Sequence, residues 1–351
     1  MKKLISETKL YIVIVLAALS VVTWGFVVGS LPVSRDKKPV RVMITQGASA
    51  RVIANTLYQS GLIRSPLIFL LTSKIGGVSE RLKPGVYEMS RSMNVPEIVR
   101  SLVEGNTLES WVTIPEGKTL REIADILDAK QLATPDTFLG LAISQGDTFT
   151  AYSLPLDGNL EGYLFPDTYL IERGTSADSI IKMMLDTFEK KVVKKHRDEI
   201  ERVIQDKFGL GEEGFDVGLR KILIIASIIE REAKIPSDRE KISAVIWNRL
   251  AKKMRLEIDA TVTYRLGESR ANKPRIYYRD LENGSLYNTY RQTGLPPAPI
   301  CNPGSASIVA ALRPAQISSL YYVAKSDGSH VFSQTLEQHN AAKKAIKEGA
   351  M

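Results

Sequence analysis

Apolar residues in this chain fall mostly at the three- and four-residue spacing of helices, with short alternating runs between them that predict strands. Two stretches share one pattern. Ile44-x-x-Gly47 is followed, after five residues, by Ile53-Ala54-x-x-Leu57, and Ile114-x-x-Gly117 is followed at the same distance by Ile123-Ala124-x-x-Leu127. Each predicts a strand, a glycine turn and an amphipathic helix, with Ser49 or Thr119 placed to cap the first free amides. A partial third copy runs from Met93 to Val99 and closes on Leu102-Val103, after a turn and strand at Leu82–Glu88. Farther on, Ser176–Phe208, Val217–Ala233, Asp238–Leu250 and Thr335–Lys347 predict helices. Glu161–Tyr169 is aromatic, contains proline and predicts a loop or edge strand. Polar turns are expected over Glu268–Asn288, a rigid turn at Gly294–Pro297, and a hairpin pairing Ser319–Val323 with His330–Phe332 around Asp327-Gly328. The order of elements makes this an α+β chain.

One predicted helix carries chemistry. Lys221–Ala233 places Glu230 and Glu232 at the end of a run of Ile, Leu and Ala. At about 100° per residue, Glu232 lies on the stripe of Ile225, Ile228 and Ile229, whereas Glu230 sits beside Leu223 and Ala226. A carboxylate closing an apolar face has its pKa raised and can donate a proton near neutral pH. The alternative is a core helix whose last turn surfaces, leaving both acids solvated beside Arg231.

Tyr11–Leu31 carries no charge and is long enough, at 1.5 Å per residue, to cross a bilayer core of about 30 Å. It predicts an uncleaved single-pass anchor with residues 1–10 inside and the rest exported, because Val28-Gly29-Ser30 is a poor small-x-small cleavage site. A linker follows at residues 32–39. The formal charge of +8 admits a membrane surface or another polyanion, but much of the excess sits in Lys190–Arg197, which reads as the wet face of a helix. With no aromatic interleaving, nucleic acid is not an expected partner. Cys301 is the lone cysteine, so neither an intrachain disulfide nor a thiolate cluster can form. His330 and His339 have poor metal spacing and His196 lies in the charged helix, so no metal or cofactor is expected.

The strand–turn–helix units resemble LysM-type carbohydrate-binding modules, though two αβ units that only pack on each other would read the same way. Seven further segments resemble the YceG-like family of membrane-anchored endolytic murein transglycosylases. They are Glu161–Tyr169 (EGYLFPDTY), Ala226–Glu232 (ASIIERE), Val245–Leu250 (VIWNRL), Ile258–Tyr264 (IDATVTY), Tyr287–Tyr290 (YNTY), Thr293–Pro297 (TGLPP) and Asn302–Gly304 (NPG). The resemblance implies a cytoplasmic tail (1–10), a transmembrane helix (11–31), a LysM-like domain (40–110) and a mixed α/β catalytic domain (111–351) on the far side of the cytoplasmic membrane, in the periplasm or cell-wall space.

It also implies cleavage of the β-1,4 bond between N-acetylmuramic acid and N-acetylglucosamine within peptidoglycan glycan strands, leaving 1,6-anhydromuramic ends and terminating strand growth. Such a reaction needs one carboxyl group rather than the usual pair, because the sugar's own C6 hydroxyl attacks. The family's catalytic glutamate matches Glu232. Glu230, Asp259, Thr261, Tyr264, Asn288 and Tyr290 are candidates for substrate-binding or supporting roles, each with a plain structural alternative. Implied partners are glycan strands, the bilayer and peptidoglycan synthases, including penicillin-binding proteins. Two other readings remain open: a hydrolase in which Asp259 activates water, and a non-catalytic wall-binding scaffold.

Overall fold

The computed structural model describes residues 16–17, 19–105, 107–145, 148–154, 157–211, 214–266 and 277–349. It divides into two compact units, Met1–Val112 with Leu170–Gly174, and Thr113–Tyr169 with Thr175–Met351.

In the first unit residues 19–30 are helical. Positions 11–15 and 18 of the anchor expected from the sequence lie outside the described residues. Among the described residues, no helix is long and apolar enough to cross a membrane. A four-stranded sheet follows, in the order β1 (Pro39–Ile44), β2 (Gly85–Ser90), β3 (Thr107–Thr113), β4 (Thr168–Glu172). β1 and β2 are antiparallel with Val42 opposite Tyr87, and alternation along β1 turns Val42 and Ile44 inward. These strands close on helices Ala50–Gln59 and Val95–Glu104 through Ile53, Leu57, Ile98 and Leu102. Ser49 caps the first helix by accepting from the Val52 amide, and Asn94 with Glu97 forms a reciprocal capping box on the second. Between them runs Pro66–Ile75, which buries Phe69 and exposes Leu67 and Ile75.

The second unit is built around helix Phe215–Glu232. Every residue from Ile222 to Ile229 is buried, so the helix is covered on all sides. The stripe expected from the sequence, with Ile225, Ile228 and Ile229 inside and Leu223 and Ala226 apart, is therefore not what separates Glu230 from Glu232. Helices Arg197–Phe208, Arg239–Ala251 and Ser305–Leu312 pack against it. At Gly218 an added Cβ would stand 2.5 Å from Ile204 Cγ1, so the crossing with Arg197–Phe208 depends on the missing side chain. The helix expected over Ser176–Phe208 is two helices, Ala177–Phe188 and Arg197–Phe208, joined by a π-helical turn at Glu189–Val193. The late hairpin is β5 (Tyr321–Ala324) paired with β6 (His330–Ser333), and helix Leu336–Lys347 follows it. Of the polar turns expected at Glu268–Asn288, residues 268–276 lie outside the described residues.

Candidate active site

Glu232 is the last residue of the central helix, where the chain turns extended at Ala233. Its side chain meets two other segments of the second unit. Tyr322 on β5 donates its hydroxyl to Oε2 at 3.0 Å, and helix Asp259–Leu266 brings Asp259 and the Ala260 amide to the same carboxyl group. Burial raises the Glu232 pKa; the Tyr322 hydrogen bond opposes that, the Asp259 charge raises it further, and the Ala260 amide and Arg231 pull it down, with the net shift upward. The negative end of the helix dipole adds to the upward push.

Each neighbour is itself held. Tyr290 donates to Asp259 Oδ1 at 2.6 Å, and burial, with the Asp259 charge, keeps the Tyr290 phenol above its ordinary range. Tyr322 packs edge-on against His330 at 5.4 Å, and Asp238 fixes His330 by accepting from its amide at 2.8 Å and pairing with Nδ1 at 3.0 Å. The hairpin that carries Tyr322 is anchored by the Val245–Leu250 motif. Asn248 donates to the Ile317 and Ser319 carbonyls, and Arg249, only 7% exposed, donates to those of Leu320, Arg255 and Leu256. Burial together with the Glu232 charge drives the Tyr322 phenol far above its usual range, so it remains a donor.

Glu230 is fixed differently. Its Oε2 accepts the Gly304 amide at 3.0 Å. Glu116, from the Ile114–Gly117 turn, packs on the bare Cα of Gly304, where an added Cβ would lie 1.9 Å from Oε1. Burial and the nearby Glu230 charge raise the Glu116 pKa, with Arg239 opposing. Glu230 thus joins the Asn302–Gly304 loop to the central helix, while Glu232 faces the tyrosines and Asp259.

Of the other candidates, Thr261 and Asn288 are wholly buried and spend their polar groups on the protein. Thr261 donates to the Ile258 carbonyl at 2.7 Å and lies 3.0 Å from the Thr289 hydroxyl, which in turn accepts the Ile258 amide. Asn288 donates to the carbonyls of Leu281 and Asn283. Both fix the loop that delivers Tyr290 and the start of helix Asp259–Leu266. Tyr264 is half-buried, its ring 5.1 Å from that of Tyr287 and its hydroxyl 3.1 Å from Glu161 Oε2.

Glu161, Glu116 and Tyr322 belong to these contacts although the sequence alone does not mark them as site residues. Glu161 is 3% exposed and accepts from the Leu120 amide at 3.1 Å and Asn302 Nδ2 at 3.0 Å as well as from Tyr264. Burial drives its pKa up to about 8 against those donors. The signal in the sequence is an acid heading the apolar and aromatic stretch Gly162–Phe165. Asn302 completes the network: Oδ1 accepts the amides of Gly162 and Leu164, and Nδ2 also donates to the Lys118 carbonyl. Gly162, at φ +91°, is pressed against Pro299, where a Cβ would approach Cγ to 2.5 Å.

The motifs that converge on Glu232 and Asn302 match a described family over most of the chain. The profile of the YceG-like family covers residues 42–345. The chain belongs to the YceG-like family. Among its relatives, a Bacillus subtilis (strain 168) protein named endolytic murein transglycosylase is 36% identical over 327 residues, which span 89% of this chain and 86% of that protein. A protein of the same name from Streptococcus pneumoniae (serotype 2, strain D39) is 29% identical, over 95% of this chain and 65% of the relative. The crystal structure of a YceG-like protein from Listeria monocytogenes superposes with a TM-score of 0.57 at 37% identity, covering 87% of this chain and 99% of that one.

Proposed function

We propose that this protein is an endolytic lytic transglycosylase of peptidoglycan with Glu232 as its single general acid and base. The observation that carries the reading is the setting of Glu232. It closes a buried helix with its pKa raised, faces Asp259 and receives one phenol from Tyr322. In the cycle, protonated Glu232 gives its proton to the O4 leaving oxygen of N-acetylglucosamine as the bond to C1 of N-acetylmuramic acid breaks. The C6 hydroxyl of the same muramic residue then attacks C1 and returns its proton to Glu232. The product is a 1,6-anhydro end, no water is consumed, and the enzyme finishes in its starting state. Asp259, held by Tyr290 beside Glu232, would supply the negative charge that favours positive charge developing at C1.

Cleavage within nascent strands would end their elongation. That role fits the anchor expected at Tyr11–Leu31, with the catalytic unit outside the cytoplasmic membrane, the LysM-like region at 40–110 gripping or spacing the glycan, and peptidoglycan synthases as neighbours. A second reading is favoured by Asp259 itself: a hydrolase in which Asp259 activates water beside Glu232. Digestion of purified glycan strands by wild type and by Glu232→Gln, with mass analysis of the new ends, tests the proposal. It predicts anhydromuramic ends from wild type alone. Reducing ends would transfer the assignment to the hydrolase, and intact but bound strands would favour a scaffold.

A further inference from the structure

In the first unit, helix Pro66–Ile75 turns a row of large apolar side chains outward. Leu67, Leu71 and Ile75 recur every fourth residue and are 63%, 39% and 77% exposed, while Phe69 on the other side is fully buried. Residues at that spacing share one face. Lys74 lies within the same face, a long cation whose stem can run along apolar surface while its ammonium stays in water. Ile68, at the edge of the row, is where the N-terminal segment arrives: a Cβ on Gly29 would stand 2.7 Å from Ile68 Cγ1. That close approach fixes the end of the uncharged Tyr11–Leu31 run beside the exposed row. The surrounding chain is basic, with eleven Lys or Arg against six Asp or Glu between Pro32 and Val112.

An exposed apolar row with a cation beside it, on a basic unit and next to the end of an uncharged run of bilayer length, offers the apolar contact and the positive charge that an anionic membrane surface attracts. We propose that the Leu67–Leu71–Ile75 face of helix Pro66–Ile75 docks onto the anionic headgroup–acyl boundary of the bilayer that holds the N-terminal anchor. This inference rests on the anchor reading made above. Its consequence is orientation: the first unit is held against the lipid surface at a second point, besides the approach of Gly29 to Ile68.

The test uses the full chain with Cys301→Ala, reconstituted in vesicles of phosphatidylcholine and phosphatidylglycerol. A nitroxide is placed at Leu71→Cys and, in a second protein, at Ile75→Cys, which is so exposed that labelling removes little packing. Collision with oxygen and with a water-soluble nickel chelate is measured by electron paramagnetic resonance. The proposal predicts oxygen accessibility above nickel accessibility at both sites, with a depth at the headgroup–acyl boundary. It also predicts at least a threefold loss of that oxygen-to-nickel ratio in vesicles of phosphatidylcholine alone. Flotation of the same samples separates the two ways of failing. Protein that floats with the vesicles but keeps a water-exposed label overturns the docking face alone. Protein that does not float overturns the anchor and this inference with it. Dipolar broadening between labels would assign the face to a second copy of the chain and likewise overturn the proposal.

Discussion

Replacing Tyr322 by Phe removes one atom from the site and isolates the contribution of one hydrogen bond to Glu232. The ring remains packed on His330 at 5.4 Å, and only the hydroxyl that donates to Oε2 at 3.0 Å is lost. A hydrogen bond to a charged acceptor contributes about 1.5–3 kcal/mol, and Glu232 is half-buried, so the lower end applies. Because that bond favours the ionised carboxylate, its loss raises the Glu232 pKa, by about one unit at 1.36 kcal/mol per unit. In the proposed cycle Glu232 starts protonated, so activity is expected to fall as pH rises through its pKa. The assay is release of soluble fragments from purified glycan strands, with kcat/KM followed across pH. Tyr322→Phe is expected to carry the alkaline limb upward by about one unit. Tyr322 itself does not titrate there, since its phenol is pushed far above its usual range. An unmoved limb, or one displaced downward, would refute the assignment of that limb to Glu232.

Glu161 makes a prediction about stability. Its folded pKa of about 8 lies above the ordinary value of 4.5, so the folded state holds the proton more tightly and stability drains away as pH climbs from about 4.5 to about 8. Glu161→Gln, whose oxygen can accept from Leu120 and Asn302 while its amide donates to Tyr264, should flatten that decline in urea unfolding curves, by at most about 5 kcal/mol at pH 8; an equally steep variant would show that Glu161 is already ionised. Asn302→Ala orphans the amides of Gly162 and Leu164 and should cost about 3–5 kcal/mol in the same assay, where a loss below about 1 kcal/mol would mean water replaces the side chain. Gly218→Ala drives a methyl into Ile204 and should cost about 1–3 kcal/mol, with no loss if the two helices can part freely.

The periodicity of the chain carried much of this fold. Ser49, Asn94 and Thr119 are caps whose side chains advertise their position, and β5–β6 turns at the Asp-Gly pair. Helices without an alternating face were harder to read: Pro66–Ile75 and Ser305–Leu312 are apolar along most of their length, and such runs do not say which side is buried. For the same reason the central helix could nominate two acids but could not separate them by face. What distinguishes them is long-range: Gly304 meets Glu230 from 74 residues away and Tyr322 meets Glu232 from 90. Thr261 and Asn288 looked like sugar-binding groups because their side chains are polar, yet both are consumed by backbone partners that only the folded chain supplies.

In the proposed reaction Glu232 serves an intramolecular attack by the sugar and not an attack by water. Cleaving glycan strands in water enriched in oxygen-18 and weighing the new muramic ends separates the two. Wild type is expected to leave ends lighter by one water and free of the isotope, and Glu232→Gln to leave none. Reducing ends carrying one oxygen-18 would contradict that reaction and make Asp259 and a water molecule the second half of the machinery.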